Sequence, residues 1–173
     1  MSKKPQALVL MGVSGCGKSS VGEALSHELS WPFYDGDDFH PPENVAKMAV
    51  GYPLNDADRA PWLKILNVLI SDHLTAGESI LLACSALKKK YRDQLAEGNS
   101  EIKFIHLKGS FELILSRMKA RTGHFMQSEM LQSQFDTLEE PDNAIVVNIE
   151  HNLAQIAAQI INELHLDRNT SME

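Results

Sequence analysis

Cysteine is scarce: Cys16 and Cys84 are the only two. That excludes a disulfide framework and any metal site built on paired cysteines. Positive charge is in deficit, with 16 Lys and Arg against 23 Asp and Glu, a net charge of −7. A nucleic-acid binder wants a basic face, so no nucleic-acid partner is expected. No apolar run approaches membrane-spanning length, so no membrane partner is expected either. Met1 to Pro5 is basic, but the apolar stretch behind it is too short for a secretory signal. The sequon at Asn169 means little without secretion, and the expected compartment is the cytoplasm. The histidines show no metal-ligand spacing such as H-E-x-x-H. Internal repeats and low-complexity tracts are missing as well. At 173 residues the chain is expected to form a single domain, 1–173, large enough for a real core.

What the chain does have is Gly12-Val13-Ser14-Gly15-Cys16-Gly17-Lys18-Ser19. This is the G-x-x-x-x-G-K-[ST] form of a phosphate-binding loop. Its context fits. Ala7 to Met11 reads as a short buried strand, and Ser19 to Ser30 as a helix with Val21, Ala24, Leu25 and Leu29 on one face. Glycines let successive backbone N–H groups turn inward around a phosphate, and the helix start adds partial positive charge. Gly12, Ser14, Gly15, Cys16, Gly17, Lys18, Ser19 and Ser20 are the candidate nucleotide contacts. Lys18 would reach the β- and γ-phosphates, and the Ser19 hydroxyl would hold Mg²⁺. A nucleoside triphosphate is the implied ligand. Cys16, at a helix start, is expected to favour the thiolate.

Further strands are expected at Phe33-Tyr34, Ser79 to Cys84, Lys103 to Leu107 and Ala144 to Ile149. Between them lie a helix opened by Pro41-Pro42 and carrying Val45, Met48 and Ala49, and a long helix with Asn55, Asp56 and Asp58 as candidate caps. The long helix offers Trp62, Ile65, Leu66 and Leu69 as its core stripe. A helix ending at Gly98, one marked by Phe111, Ile114, Leu115 and Met118, and a last one from Leu153 to Leu164 complete the alternation. Asp167 to Glu173 reads as a frayed tail. Alternating strands and helices predict an α/β three-layer sandwich with a parallel sheet and right-handed crossovers. By analogy with small phosphate-loop kinases, the five strands take the order 2-3-1-4-5.

The class of phosphate-loop protein follows from more absences. A GTP-hydrolysing switch needs D-x-x-G and N-K-x-D, and the chain has neither. A nucleotide-binding structural module would not need the acidic turn Asp35-Gly36-Asp37-Asp38, placed where ligands bind in parallel sheets. A small-molecule kinase is therefore expected. The third strand ends without an acidic residue, so Asp35 is the candidate to complete the Mg²⁺ shell with Ser19. Asp37 would then face the acceptor hydroxyl. The plainer alternative is that these aspartates only shape a turn. Arg117 and Arg121 lie one turn apart before a polar segment, 122–134, containing Gly123 and His124. A closing lid that brings both guanidiniums onto the phosphates is expected there, with Arg121 acting on the transferred group. The alternative is a pair of solvated helix-end cations.

Further residues carry a resemblance. They include Asp35-Gly36-Asp37, His40-Pro41, Asn44 with Lys47-Met48, Asp58-Arg59, Pro61-Trp62-Leu63, Cys84-Ser85-Ala86-Leu87-Lys88-Lys89 and Tyr91-Arg92-Asp93. Gly123-His124-Phe125, Gln134-Phe135 and Glu140-Pro141 extend the set. From Leu8 to Pro141 the chain closely resembles the bacterial gluconate kinases. The resemblance implies a nucleoside-monophosphate-kinase-like fold, ATP and Mg²⁺ as cofactors, D-gluconate as acceptor, 6-phospho-D-gluconate as product and a homodimer. Another small kinase, for shikimate or adenylylsulfate, is the alternative. For a gluconate carboxylate, Arg59, Lys88, Arg92 and His124 are the candidate cations, and the sequence does not choose among them.

Overall fold

The computed structural model describes residues 4–122 and 127–169. Strand β1 (Ala7–Met11) has five apolar residues in a row, all buried, and it is the central strand of five. On one side it pairs with β3 (Ile80–Ala83), which pairs in turn with β2 (Phe33–Asp35). On the other side it pairs with β4 (Ile102–Lys108), followed by β5 (Ile145–Asn148). Every pairing is parallel, and the order β2-β3-β1-β4-β5 bears out the expected topology.

Side chains on a strand alternate between faces, and β1 divides its residues accordingly. Leu8 and Leu10 join one core, with α1 (Lys18–Leu29), α5 (Phe111–Thr122), α6 (Gln127–Thr137) and α7 (Leu153–Glu163). Ala7, Val9 and Met11 join the other, under α3 (Asp56–Thr75) and α4 (Lys89–Ala96). Burial on both faces is why these strands read as unbroken apolar runs. Each fully buried Leu or Ile stabilises the fold by roughly 1.5–3 kcal/mol relative to exposure.

Three expectations are corrected. Helix α3 starts at a capping box between Asn55 and Asp58, but its buried face is Trp62, Leu63, Leu66, Asn67 and Ile70, and Ile65 is exposed. The face is turned by roughly one residue step. Asn67 explains the turn: its Nδ2 donates to Leu95 O and Glu97 O, both at 2.9 Å, and so satisfies carbonyls at the end of α4. In α2 (Pro42–Ala49) the buried residue is Asn44, while Val45 and Met48 face outward. The tail is tied down as far as the structure describes it. Leu166 is buried and the Asn169 N–H donates to Glu28 O at 2.7 Å.

Candidate active site

The loop between β1 and α1 bends through backbone conformations open mainly to glycine. Gly12 has φ 147° and Gly15 φ 80°. A Cβ on Gly12 would stand 2.7 Å from Cys16 Sγ and 2.9 Å from Leu107 O, and one on Gly15 would stand 2.6 Å from Met118 Cγ. Neither position admits a side chain without displacing its neighbours. Lys18 Nζ donates to Gly12 O at 2.9 Å and Val13 O at 3.1 Å, which spans the loop with the one cation inside its motif. Cys16 departs from expectation. Its side chain is buried, and that burial pushes the thiol pKa up, against the lowering influence of Lys18. Desolvation outweighs the helix-start position because a thiolate there would lose its water.

Strand β2 delivers the acidic turn beside this loop. Asp35 Oδ1 accepts from the Asp37 N–H at 3.0 Å, and its Oδ2 accepts from Ser19 Oγ at 3.2 Å. One carboxylate thus both shapes the turn and reaches the phosphate loop. Asp37 is the second residue of the short 3₁₀ turn Gly36–Phe39, with its carboxylate largely open to solvent. The protein walls that displace water on its inner side, and then the Asp35 charge, push its pKa up, while His40 and Lys18 oppose them. His40 Nε2 stands 3.9 Å from Asp37 Oδ1. The other ring nitrogen, Nδ1, faces Asn44 Nδ2 at 3.3 Å. An amide nitrogen only donates, so Nδ1 accepts and a neutral ring carries its proton on Nε2, toward Asp37. Burial lowers the His40 pKa and favours that neutral form.

Three cavities meet at the carboxyl edge of the sheet, as expected for a parallel sheet. A small one of about 220 Å³ holds the loop residues Ser14, Gly15, Gly17, Lys18, Ser19 and Ser20 with Asp35 and Asp37. A second, of about 370 Å³, is walled by Asp37, His40, Arg59, Trp62, Tyr91 and Gln134 among others. Ser14, Asp37 and Ser85 line both, so these two spaces adjoin at three polar residues. A third, of about 430 Å³, runs from Gly15, Cys16, Gly17 and Ser20 to Arg117 on α5 and to His151 and Asn152 after β5.

The candidate cations separate. Arg59 lines the second cavity, its Nη1 donating to Tyr91 Oη at 3.1 Å and its guanidinium 5.4 Å from the Tyr91 ring centre. Lys88 is instead turned to Asp56 Oδ1 at 3.4 Å, outside that wall. Asp56 also accepts from Lys90 and from the Tyr91 hydroxyl, and these donors hold its pKa well below the usual carboxylate range. Arg92 is a correction: it is buried, with Nη1 donating to Ala86 O at 2.7 Å and Nη2 to Glu139 O at 2.8 Å. Its donors tie two loops together and it stands outside the cavity wall. His124 and the Arg121 side chain lie outside the described residues; of the expected lid, 122–134, residues 127–134 form the first turns of α6 and 123–126 lie outside the described residues. Sequence reasoning missed Tyr91, Ser85, Gln134, His151 and Asn152 as site residues. The rule that ligands bind beyond the carboxyl ends of strands would have found Ser85 after β3 and His151 after β5. Gln134 stood in the sequence only as part of the Gln134-Phe135 pair and of the expected lid, neither of which assigned it a contact.

Fold and site together define a small-molecule kinase of the phosphate-loop class. A family model described as shikimate kinase matches residues 14–165. The thermoresistant gluconokinase of Escherichia coli K12 is 50% identical over 157 residues, covering 88% of this chain and 90% of that protein. A crystal structure of a gluconokinase from Sinorhizobium meliloti 1021 is 42% identical with a TM-score of 0.79, over 95% of this chain and 98% of that one. A shikimate kinase from Aquifex aeolicus reaches only 19% identity and a TM-score of 0.56, covering 92% of this chain and 96% of that one, a likeness of fold alone. The chain belongs to the gluconokinase family.

Proposed function

We propose that this chain transfers the γ-phosphoryl group of ATP to a hydroxyl of D-gluconate, giving ADP and 6-phospho-D-gluconate. The observation that carries the reading is the shared wall: the phosphate-loop space and the space holding Arg59 adjoin at Ser14, Asp37 and Ser85. A triphosphate laid along the loop would present its terminal phosphate at that junction, with its nucleoside in the cleft near Arg117, His151 and Asn152. An acceptor with its carboxylate on Arg59 would bring a hydroxyl to the same place. The acceptor oxygen then bonds to the γ-phosphorus as the bond to the bridging oxygen of ADP breaks. Asp37 takes the hydroxyl proton, with His40 Nε2 directed at it. Lys18 answers the charge that builds on the phosphate oxygens, and Arg117 stands at the cleft beside them.

Mg²⁺ fits the donor set. Ser19 and Asp35 offer only oxygen, and a magnesium ion keeps most of its waters and takes one or two protein ligands beside the phosphates. Bound there, it would neutralise phosphate charge. The same proposal includes a cytoplasmic homodimer, which sedimentation of the purified protein would test. The activity is tested by following ADP formation with gluconate, shikimate and adenylylsulfate offered in turn. Gluconate alone is expected to drive turnover. Faster turnover with either of the others would overturn the assignment of the acceptor.

A further inference from the structure

Gln134 makes two hydrogen bonds to a single residue 120 positions away. Its Oε1 accepts from the Ser14 N–H at 2.6 Å, and its Nε2 donates to Ser14 Oγ at 2.7 Å. Ser14 is one of the three residues at the junction of the phosphate and acceptor spaces, and Gln134 lines the acceptor side. Nothing in the chemistry above uses this glutamine. We propose that Gln134 is a positioning residue for phosphoryl transfer: it fixes the Ser14 amide and hydroxyl at the transfer point and closes that point to water. The inference rests on the kinase reading given above.

The choice of side chain fits the task. Ser14 presents an N–H, which only donates, and a hydroxyl, which can accept; a carboxamide supplies one acceptor and one donor in a single plane. A glutamate of the same shape would accept from both groups but would set a negative charge against the terminal phosphate. The support behind Gln134 is rigid. On the same helix Leu131 is fully buried, and Phe135 packs edge-on against Phe111 at 5.8 Å. Just past the helix end, the Glu139 N–H donates to Leu87 O at 2.8 Å and Glu139 Oε1 accepts from the Lys89 N–H at 2.9 Å. Those partners belong to the segment after β3 that carries Ser85. Helix α6 and the turn that follows it therefore brace two sides of the junction at once, the phosphate loop through Gln134 and the post-β3 segment through Glu139. Preorganisation of this kind acts on the rate of the chemical step more than on ground-state binding.

The test compares wild type, Gln134→Ala, Gln134→Glu, Ser14→Ala and the Ser14→Ala/Gln134→Ala double variant. Wild type is first assayed with the acceptor panel, and whichever acceptor it turns over serves for the variants. Failure with gluconate at that stage counts against the acceptor assignment and not against Gln134. The readouts are kcat and KM for both substrates, and the ratio of ATP hydrolysed to acceptor phosphorylated. Loss of two hydrogen bonds predicts a fall in kcat of about tenfold or more for Gln134→Ala, with KM for ATP changed less than about threefold. The hydrolysis ratio is expected to rise. Gln134→Glu should be slower still, because of charge and not of shape. In the double variant the two losses should not multiply, since both remove the same contact. A kcat within twofold of wild type in both Gln134 variants overturns the proposal. So does a multiplicative double variant, or a rate loss with no change in the hydrolysis ratio. Should Gln134→Ala fail to fold, Gln134→Glu and Ser14→Ala carry the same comparison.

Discussion

His40 lies flat against Trp62, ring centres 4.2 Å apart and planes 17° from parallel. The indole is itself pinned, its Nε1 donating to Gly36 O at 2.8 Å. The stack holds the imidazole edge toward Asp37, and Asn44 decides which nitrogen faces it. Helix α3, through Trp62, and helix α2, through Asn44, thus both contribute to the orientation of this turn and of His40 beside it.

A signed expectation follows for Asp37. Its pKa is raised in the folded chain, so the fold holds the proton more tightly than the unfolded chain does. Stability contributed by this group is therefore greatest below its unfolded pKa and is lost as pH rises through the folded one. At neutral pH the charged carboxylate is mostly in water, so the effect on stability is small. Asp37→Asn should raise the melting temperature slightly at pH 7 and leave it unchanged at low pH, where both forms are neutral. It should also lower kcat with gluconate while ATP binding stays near normal. The acid limb of kcat in wild type should be displaced upward from the ordinary aspartate value, the direction in which desolvation and Asp35 push it. A melting temperature that falls in Asp37→Asn, with turnover intact, would return the residue to a purely structural role.

Lys18 is the second case. In the free protein its ammonium is held by two loop carbonyls, a modest and replaceable pair of contacts. Removing it should leave folding intact, as measured by circular dichroism and thermal unfolding. Turnover should fall by about two or more orders of magnitude, the scale of losing one preorganised charge at a transition state. A folded Lys18→Ala with near-normal turnover would remove the loop from the chemistry.

The third concerns the thiols. Burial pushes the Cys84 pKa up to about 12, and raises that of Cys16 as well. Thiolate is the reactive form, so both cysteines should react slowly with iodoacetamide or Ellman's reagent at pH 7 in the folded chain. Unfolding in guanidinium should release both at ordinary rates. Fast labelling of Cys16 in the native protein would show that the loop start outweighs burial after all.

What could be read in the sequence was what is local. Strand β1, its loop and α1 are consecutive, and the motif fixes their chemistry through backbone geometry that glycine alone supplies. The strand order came from analogy, because nothing in a single chain's pattern states which strands are neighbours. The rotation of α3 was illegible because it depends on Asn67 meeting the end of α4, a contact made only in the folded chain. The cations looked equivalent for the same reason. Arg59, Lys88 and Arg92 differ not in type or spacing but in which carboxylates, rings and carbonyls the topology brings to them. Cys16 was misjudged because a helix start is visible in sequence and depth of burial is not.

The three cations give the last and most discriminating test. Arg59 is the one whose guanidinium combines a place in the acceptor wall with a support that orients it: Tyr91 takes one N–H and offers its ring face. A planar fork suits a carboxylate in two-point contact, and a lysine at the same place would not reproduce it. Hydrogen bonds to charged groups are worth about 1.5–3 kcal/mol, so Arg59→Ala should raise KM for gluconate by about ten- to a hundredfold. KM for ATP should change little, and Arg59→Lys should recover only part of the loss. Lys88 is held by Asp56, which has two other donors, so Lys88→Ala should alter gluconate KM by no more than about twofold. Arg92 should behave differently from both. Its removal strands the buried carbonyl of Ala86, at about 1–3 kcal/mol, and frees the more exposed carbonyl of Glu139 to water. Arg92→Ala should therefore lower the melting temperature first, with any kinetic defect following the loss of folded protein. If instead Lys88→Ala or Arg92→Ala raised gluconate KM selectively in a stable protein, the carboxylate would belong to that residue and not to Arg59.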